Sequence, residues 1–196
     1  MTRADQRDNT IVTDITTASS VVTATINAPI ERVNIAVWLQ NVPDKEYQRC
    51  AVPDHMAAGY TTTDDGQPMS LNVEIIGPNL MIQHYLYEIA ERQHCHLVSL
   101  SDVLTPGGWT TMQVIWDLNV TDNGDGTCTY HNHVDGHPTA DFVAVAERGG
   151  ANIEDIAAAA KAATDKHNHL ETPNYAASIE RCALMDNRGT RSATVP

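Results

Sequence analysis

From Val21 onward the chain alternates, with Val22, Ala24 and Ile26 apolar and Thr23, Thr25 and Asn27 polar. A period of two sends one set to each face of a strand, so this segment is expected to be a half-buried β-strand. It runs straight into Ala28-Pro29, and Pro29 has the φ of a first helical turn and no N–H to leave unpaired there. The period then lengthens. Val33, Ile35, Ala36, Trp38 and Leu39 share one broad apolar face, which predicts a helix over 29–39. Pro43-Asp44-Lys45-Glu46 opens a second short helix. So abrupt a strand-to-helix joint suggests a sheet that wraps around helices and leaves a cavity between them.

Further alternating runs follow at hairpin spacing: 55–63, 69–76, 80–89, 94–104, 109–120 and 127–134. Turn chemistry separates them, at Asp64-Asp65-Gly66, Gly77-Pro78-Asn79, Thr105-Pro106-Gly107-Gly108 and Thr121 to Gly126. The end is helical. A helix over 138–147 should stop at Gly149-Gly150, and Asn152 can cap a second carrying Ile153, Ile156, Ala157, Ala160 and Ala163 on one face. Thr172-Pro173 is expected to start a last helix with Tyr175, Ile179 and Cys182.

The order strand, two short helices, about six antiparallel strands and a helical end resembles the helix-grip fold of the START-like (SRPBCC) superfamily, which includes the birch pollen allergen and polyketide cyclases. The residues that carry the resemblance are ATINAPIERV at the strand-to-helix joint, and DNGDGTCTYHNHV followed by HPTADFVAV near the end. It implies an α+β domain over 19–185: a curved antiparallel sheet of about seven strands around a C-terminal helix. Residues 1–18 and 186–196, polar and without periodicity, are expected to be flexible ends. The glycine pair at 149–150 departs from the superfamily's single uninterrupted C-terminal helix.

The totals narrow the function classes. With 196 residues and 42% apolar content, one domain can bury its own core. A net charge of −13 repels nucleic acid and anionic lipid, so neither is an expected partner. Four scattered cysteines without a CxxC, and no run long enough for a membrane span, fit reduced thiols and a cytoplasmic location. There is no GxSxG elbow, P-loop or HExxH.

Pairing across the turns decides which side chains meet. Setting Leu104 opposite Trp109 places Leu97 beside Trp116, Ser99 beside Val114 and His96 beside Asp117. Setting Thr121 opposite Thr127 places Trp116 opposite Asn132, Leu118 opposite Tyr130 and Asp117 opposite His131. One face then carries Cys95, Leu97, Ser99, Met112, Val114, Trp116, Leu118, Cys128, Tyr130, Asn132 and Val134, joined by Met81, Gln83, Tyr85 and Tyr87. Burial directs this face toward the helices. The expected ligand site is therefore Trp116, Tyr87, Gln83, Ser99, Leu97, Val114 and Met112. Tyr130 or Tyr85 would donate to a developing oxyanion, and Asn132 would orient a carbonyl.

The opposite face carries His84, Glu88, His94, His96, Gln113, Asp117, His131 and His133. His96, Asp117 and His131 make a two-histidine, one-carboxylate set of the kind that holds zinc or iron, with Glu88 as a candidate base. His167 and His169 in KHNHLET are expected as helix-end cations. Zinc-dependent phloroglucinol hydrolases, which cleave a carbon–carbon bond, are the metallohydrolase precedent within the START-like superfamily.

Three functions are therefore in play. The first is a cofactor-independent cyclase, isomerase or lyase of a small apolar or aromatic, polyketide-like molecule. The second is a carrier or sensor of such a molecule, without chemistry. The third is a metal-dependent hydrolase. An exposed sheet edge or the histidine-rich face is where a homodimer would form.

Overall fold

The computed structural model describes residues 7–185. Strand β1 (Ala18–Ile26) leads through a single 3-10 turn (Ile30–Arg32) into α1 (Ile35–Asn41) and α2 (Asp44–Cys50). Six strands follow: β2 (His55–Thr62), β3 (Pro68–Ile76), β4 (Asn79–Ala90), β5 (His94–Thr105), β6 (Gly108–Asp122) and β7 (Cys128–Pro138). Helices α3 (Ala140–Arg148) and α4 (Ile153–Met185) complete the chain. The strands form one antiparallel sheet in the order β1-β7-β6-β5-β4-β3-β2. The fold is the α+β helix-grip arrangement expected from the pattern.

Turn chemistry set most of the register. Across β5 and β6, Leu104 faces Trp109, Leu97 faces Trp116 and His96 faces Asp117, as expected. Across β6 and β7 the expectation is two residues out. Thr121 pairs with Thr129, Trp116 with Val134, Leu118 with Asn132 and Asp117 with His133. The reason lies in the loop. Asn123 and Thr127 pair through backbone and side chain, so both belong to the turn and the ladder starts beyond them. A shift of two leaves every side chain on its face, so the inward set survives the error.

Two helix expectations are corrected. The first helix is not continuous over 29–39. It divides into the 3-10 turn and α1, because Asn34 is extended and its side chain accepts from the Val37 N–H as a cap. At the other end no helix starts at Thr172-Pro173, and α4 runs through Pro173 for 33 residues. Neighbouring side chains supply donors around the missing proline N–H. The Thr172 hydroxyl donates to the Asn168 carbonyl (2.7 Å) and the Asn174 amide to the Leu170 carbonyl (2.9 Å).

The core lies between the concave sheet face and α1, α2 and α4. Ile26, Ile35, Leu97, Val103, Leu118 and Ile179 are almost fully buried there, each worth about 1.5–3 kcal/mol. Irregularities in β2 (between His55 and Ala57) and β4 (between Tyr87 and Ile89) interrupt the ladder, as bulges that bend a sheet do. The stretch before β1, expected to be flexible, is tied down over residues 7–17. Ile11 bridges to Thr139, the Val12 N–H donates to the Pro138 carbonyl and the Thr17 N–H to that of Gly136. The expected C-terminal tail, 186–196, and residues 1–6 lie outside the described residues.

Candidate metal centre in the cavity

Between sheet and α4 lies a cavity opening to solvent, with about 650 Å³ of free space that includes the solvent at its mouth. Met81, Met112, Val114, Trp116 and Val134 give it apolar walls, and Asn72, Gln83 and Tyr85 add polar groups. One end is different in kind. Four ionisable side chains meet there: His55 opening β2, Glu74 on β3, and His167 and Glu171 on α4.

Local structure explains how they converge. His55 and Glu74 are ladder partners across β2 and β3. Ser70, Asn72 and Glu74 alternate inward along β3, an unusually polar set for a concave face. His167 and Glu171 are one helical turn apart, so they point the same way. Between Thr164 and Thr172 the buried stripe of α4 is polar: Thr164, His167, Asn168, Glu171 and Thr172.

The ligating atoms of His55, His167 and Glu171 converge within 4.8 Å of one another, and Glu74 lies beside both imidazoles to complete the cage. His55 Nε2 lies 3.2 Å from Glu171 Oε2, 3.3 Å from His167 Nε2 and 3.4 Å from Glu74 Oε2. His167 Nε2 lies 3.4 Å from Glu74 Oε2 and 3.5 Å from Glu171 Oε2. A tetrahedral ion with bonds of about 2.0–2.1 Å separates its ligands by about 3.3–3.4 Å. The triangle of His55, His167 and Glu171 has that size.

Its electrostatics call for a cation. His55 Nδ1 lies 2.8 Å from the Tyr47 backbone carbonyl, which can only accept, so that nitrogen carries the proton. His167 Nδ1 likewise donates to Asp54 Oδ2 at 3.0 Å. In the neutral rings both Nε2 lone pairs therefore face two carboxylates. His55, Glu74, His167 and Glu171 are each only 4–5% exposed, so water cannot screen this convergence. Burial opposes a charged His167, yet its hydrogen bond to Glu171 and the nearby carboxylates raise its pKa to about 12. Burial also opposes a charged Glu171, yet His167 and His55 hold its carboxyl down at about 2. Either a proton or a metal ion can answer that demand. The donor set, two imidazole nitrogens and the Glu171 carboxylate with both outer ring nitrogens already anchored, fits zinc with a fourth position open.

Second contacts hold the cage in place. The Tyr47 hydroxyl donates to Glu74 Oε2 (3.0 Å), and its ring stacks on His55 with centroids 3.8 Å apart. The Asn132 amide donates to Glu171 Oε1 (3.0 Å), while Asn132 Oδ1 accepts the Trp116 indole N–H (2.7 Å). Burial and the charges of Glu74 and Glu171 push the Tyr85 hydroxyl well above its usual pKa, so it stays a donor.

The expected site residues divide. Trp116, Gln83, Val114, Met112 and Tyr85 line the cavity. Leu97 and Ser99 are buried in the sheet, where Ser99 Oγ accepts the His84 N–H. Tyr87 turns to Ser70, with 2.6 Å between hydroxyls, because the β4 irregularity follows it. Tyr130 is fully buried outside the cavity lining, and its hydroxyl has no partner among the described residues. It cannot serve an oxyanion from there. Asn132 spends its amide on Glu171 and Trp116, so it positions the cage and has no carbonyl to orient.

The expected surface set is also corrected. Asp117 Oδ2 accepts from His94 Nε2 (3.0 Å) and His96 Nδ1 (2.7 Å), while His131 pairs with Asn119 and approaches Thr121. The two-residue register shift removed His131 from the group. His94, His96 and Asp117 still place three ligating atoms within 4.8 Å of one another, but they are half-exposed where the cage is buried. His167 is no helix-end cation: α4 continues for 18 residues beyond it, which buries it in mid-helix. A helix ending before Thr172-Pro173 would leave His167 and His169 at its terminus, and only the continuation of α4 turns His167 and Glu171 into an inward pair. A His-x-x-x-Glu step within an otherwise polar inward stripe was the available clue.

No family model and no curated protein matches the sequence. Among solved structures, the Zhui aromatase/cyclase from Streptomyces sp. R1128 aligns with a TM-score of 0.53 at 12% identity, over 90% of this chain and 98% of that one. The di-domain ARO/CYC BexL from the BE-7585A biosynthetic pathway gives 0.48 at 14% identity, over 84% of this chain and 49% of that one, so this chain spans about half its length. A Thalictrum norcoclaurine synthase gives 0.46 at 12% identity, over 88% and 98%. At such identities the likeness to Zhui shows the shared helix-grip fold.

Proposed function

We propose that this protein is a metal-dependent hydrolase that binds one zinc ion through His55, His167 and Glu171, with Glu74 beside the open fourth position, and acts on a small carbonyl-bearing aromatic or polyketide-like molecule in the adjoining cavity. The observation that carries the reading is the cage, with buried lone pairs at tetrahedral spacing and both outer imidazole nitrogens donating elsewhere. This is the metallohydrolase expectation with a different ligand set from His96, Asp117 and His131. The phloroglucinol hydrolases are the precedent for a carbon–carbon bond as the one cleaved.

A zinc ion held by His55, His167 and Glu171 would supply Lewis acidity and would lower the pKa of a water toward about 7. The chain does the rest. Asn72 and Gln83, ladder partners on β3 and β4, offer amides to hold an oxygen of the substrate, and Tyr85 offers a proton donor. Met81, Met112 and Trp116 enclose the apolar part of the molecule and exclude bulk water. Water's oxygen joins the carbonyl carbon, the bond to the leaving group breaks, and a proton passes to that group.

The second reading is cofactor-independent proton chemistry, with a proton on His167 in the ion's place; the strong upward pull of Glu171 and Glu74 on that ring favours it. Metal analysis separates the two. We expect about one zinc per chain after purification or reconstitution, lost in His167→Ala and Glu171→Gln, with the melting temperature falling on chelation and recovering with zinc. A folded wild-type protein that retains no divalent ion after reconstitution overturns the hydrolase reading and leaves the proton chemistry.

A further inference from the structure

The cavity continues beyond its mouth. Asn79 at the start of β4 and Ala160 on α4 line it, and the same two residues line a second, apolar cleft with about 980 Å³ of free space that includes open solvent. The cleft exists because the helical end of the chain is interrupted. α3 stops before Gly149-Gly150, α4 begins after Asn152, and the notch between them is walled by Phe142 and Val145 on one side and Ile156 and Ala159 on the other. Pro78 and Pro106, from the β3–β4 and β5–β6 turns, close over it.

Those turns are seated tightly. A Cβ on Gly107 would stand 3.0 Å from Val145 Cγ1, and one on Gly77 would stand 3.1 Å from Ala163 Cβ. The rim is thus fixed by packing against both helices. Among the described residues no charged side chain lines the cleft, although the chain carries a net charge of −13. Ala160 and His167 are seven residues apart on α4, which at the helical rise is about 10 Å. One molecule can reach from the cage to the cleft.

We propose that the substrate is amphipathic: an oxygen-bearing head meets the His55–Glu74–His167–Glu171 cage, and an uncharged apolar tail leaves between Asn79 and Ala160 to lie in the cleft between α3 and α4. The proposal rests on the reading of the cavity as the substrate site. It specifies the tail, which that reading leaves open. A charged tail would be desolvated among apolar side chains with no counter-ion, so the tail is an alkyl chain or a further unsubstituted ring.

The test compares 4-methylphenol with 4-octylphenol, by calorimetry on the zinc-treated full chain, with zinc content measured on the same sample. We expect the octyl compound to bind at least about tenfold more tightly, since each buried methylene contributes severalfold. Ala159→Trp fills the cleft from an exposed helix position, so the fold is kept. Ile156→Ser instead makes its wall polar. Either should erase the advantage of the longer tail and leave 4-methylphenol binding and zinc content unchanged. Equal affinity for the two phenols in the wild type overturns the proposal, as does an advantage that survives both variants. If the sample takes up no zinc but the length dependence is present and cleft-sensitive, the tail site stands and the hydrolase reading falls. Zinc uptake without length dependence gives the reverse.

Discussion

Asp54 Oδ2 lies 3.0 Å from Nδ1 of His167, joining the residue just before β2 to the middle of α4. The bond fixes the ring's tautomer and aims Nε2 at the cage. An outer carboxylate of this kind raises the basicity of a ligating imidazole and costs about 10–100-fold in metal affinity when lost. Asp54→Asn, which keeps the size and removes the charge, should therefore weaken zinc binding by about that factor. Competition against a chromophoric chelator measures it. Unchanged affinity would show that the ring needs no such anchor.

Asn132 joins three partners: Trp116, Glu171 and Thr172. Asn132→Leu fills the same space and leaves a buried indole N–H and a buried carboxylate oxygen unpaired. Each unpaired group costs about 1–3 kcal/mol, more where charged. Urea unfolding should show a loss of about 3 kcal/mol or more, and zinc affinity should fall with it. A loss below about 1 kcal/mol would mean that the cage does not depend on this amide.

Tyr130 gives the opposite expectation. Its hydroxyl is buried with no partner among the described residues, so Tyr130→Phe removes a desolvated group at the cost of a small void. Stability should hold or rise by about 1 kcal/mol. Turnover and ligand affinity should stay as they are, because the ring lies outside the cavity lining. A catalytic defect in this variant would contradict the placement.

Glu46 pairs with Arg49 one turn along α2 and ties α2 to α4 through Arg181. The hydrogen bond from Arg49, opposed by burial and helped by Arg181, brings its carboxyl from 4.5 to about 2. A depressed carboxyl stabilises the folded state above its unfolded pKa and loses that contribution as pH falls toward the folded value. The contribution should thus be complete at neutral pH and disappear between about pH 4.5 and 2. Both arginines are more than half exposed, so screening limits it to about 1 kcal/mol. Glu46→Gln should be less stable than the wild type by about that amount at pH 7, and the two should converge near pH 2. Thermal melts across this range test it.

The sequence by itself determined the seven strands and which side of each faces the core. Alternation has a period of two, so even a two-residue error across the β6–β7 turn left Trp116, Asn132 and Tyr130 facing inward. Local pattern also placed the glycine break that separates α3 from α4. It could not place the cage. His55 and Glu74 meet by strand pairing, and they meet His167 and Glu171 only when α4 lies in the curve of the sheet, more than 90 residues later in the chain. Nor could alternation tell a side chain that lines open space from one that fills a core, since Trp116 and Tyr130 share a face and only the first borders the cavity. Pattern fixes direction along an element. The distance between elements, on which ligation and cavity shape depend, is decided by how they pack.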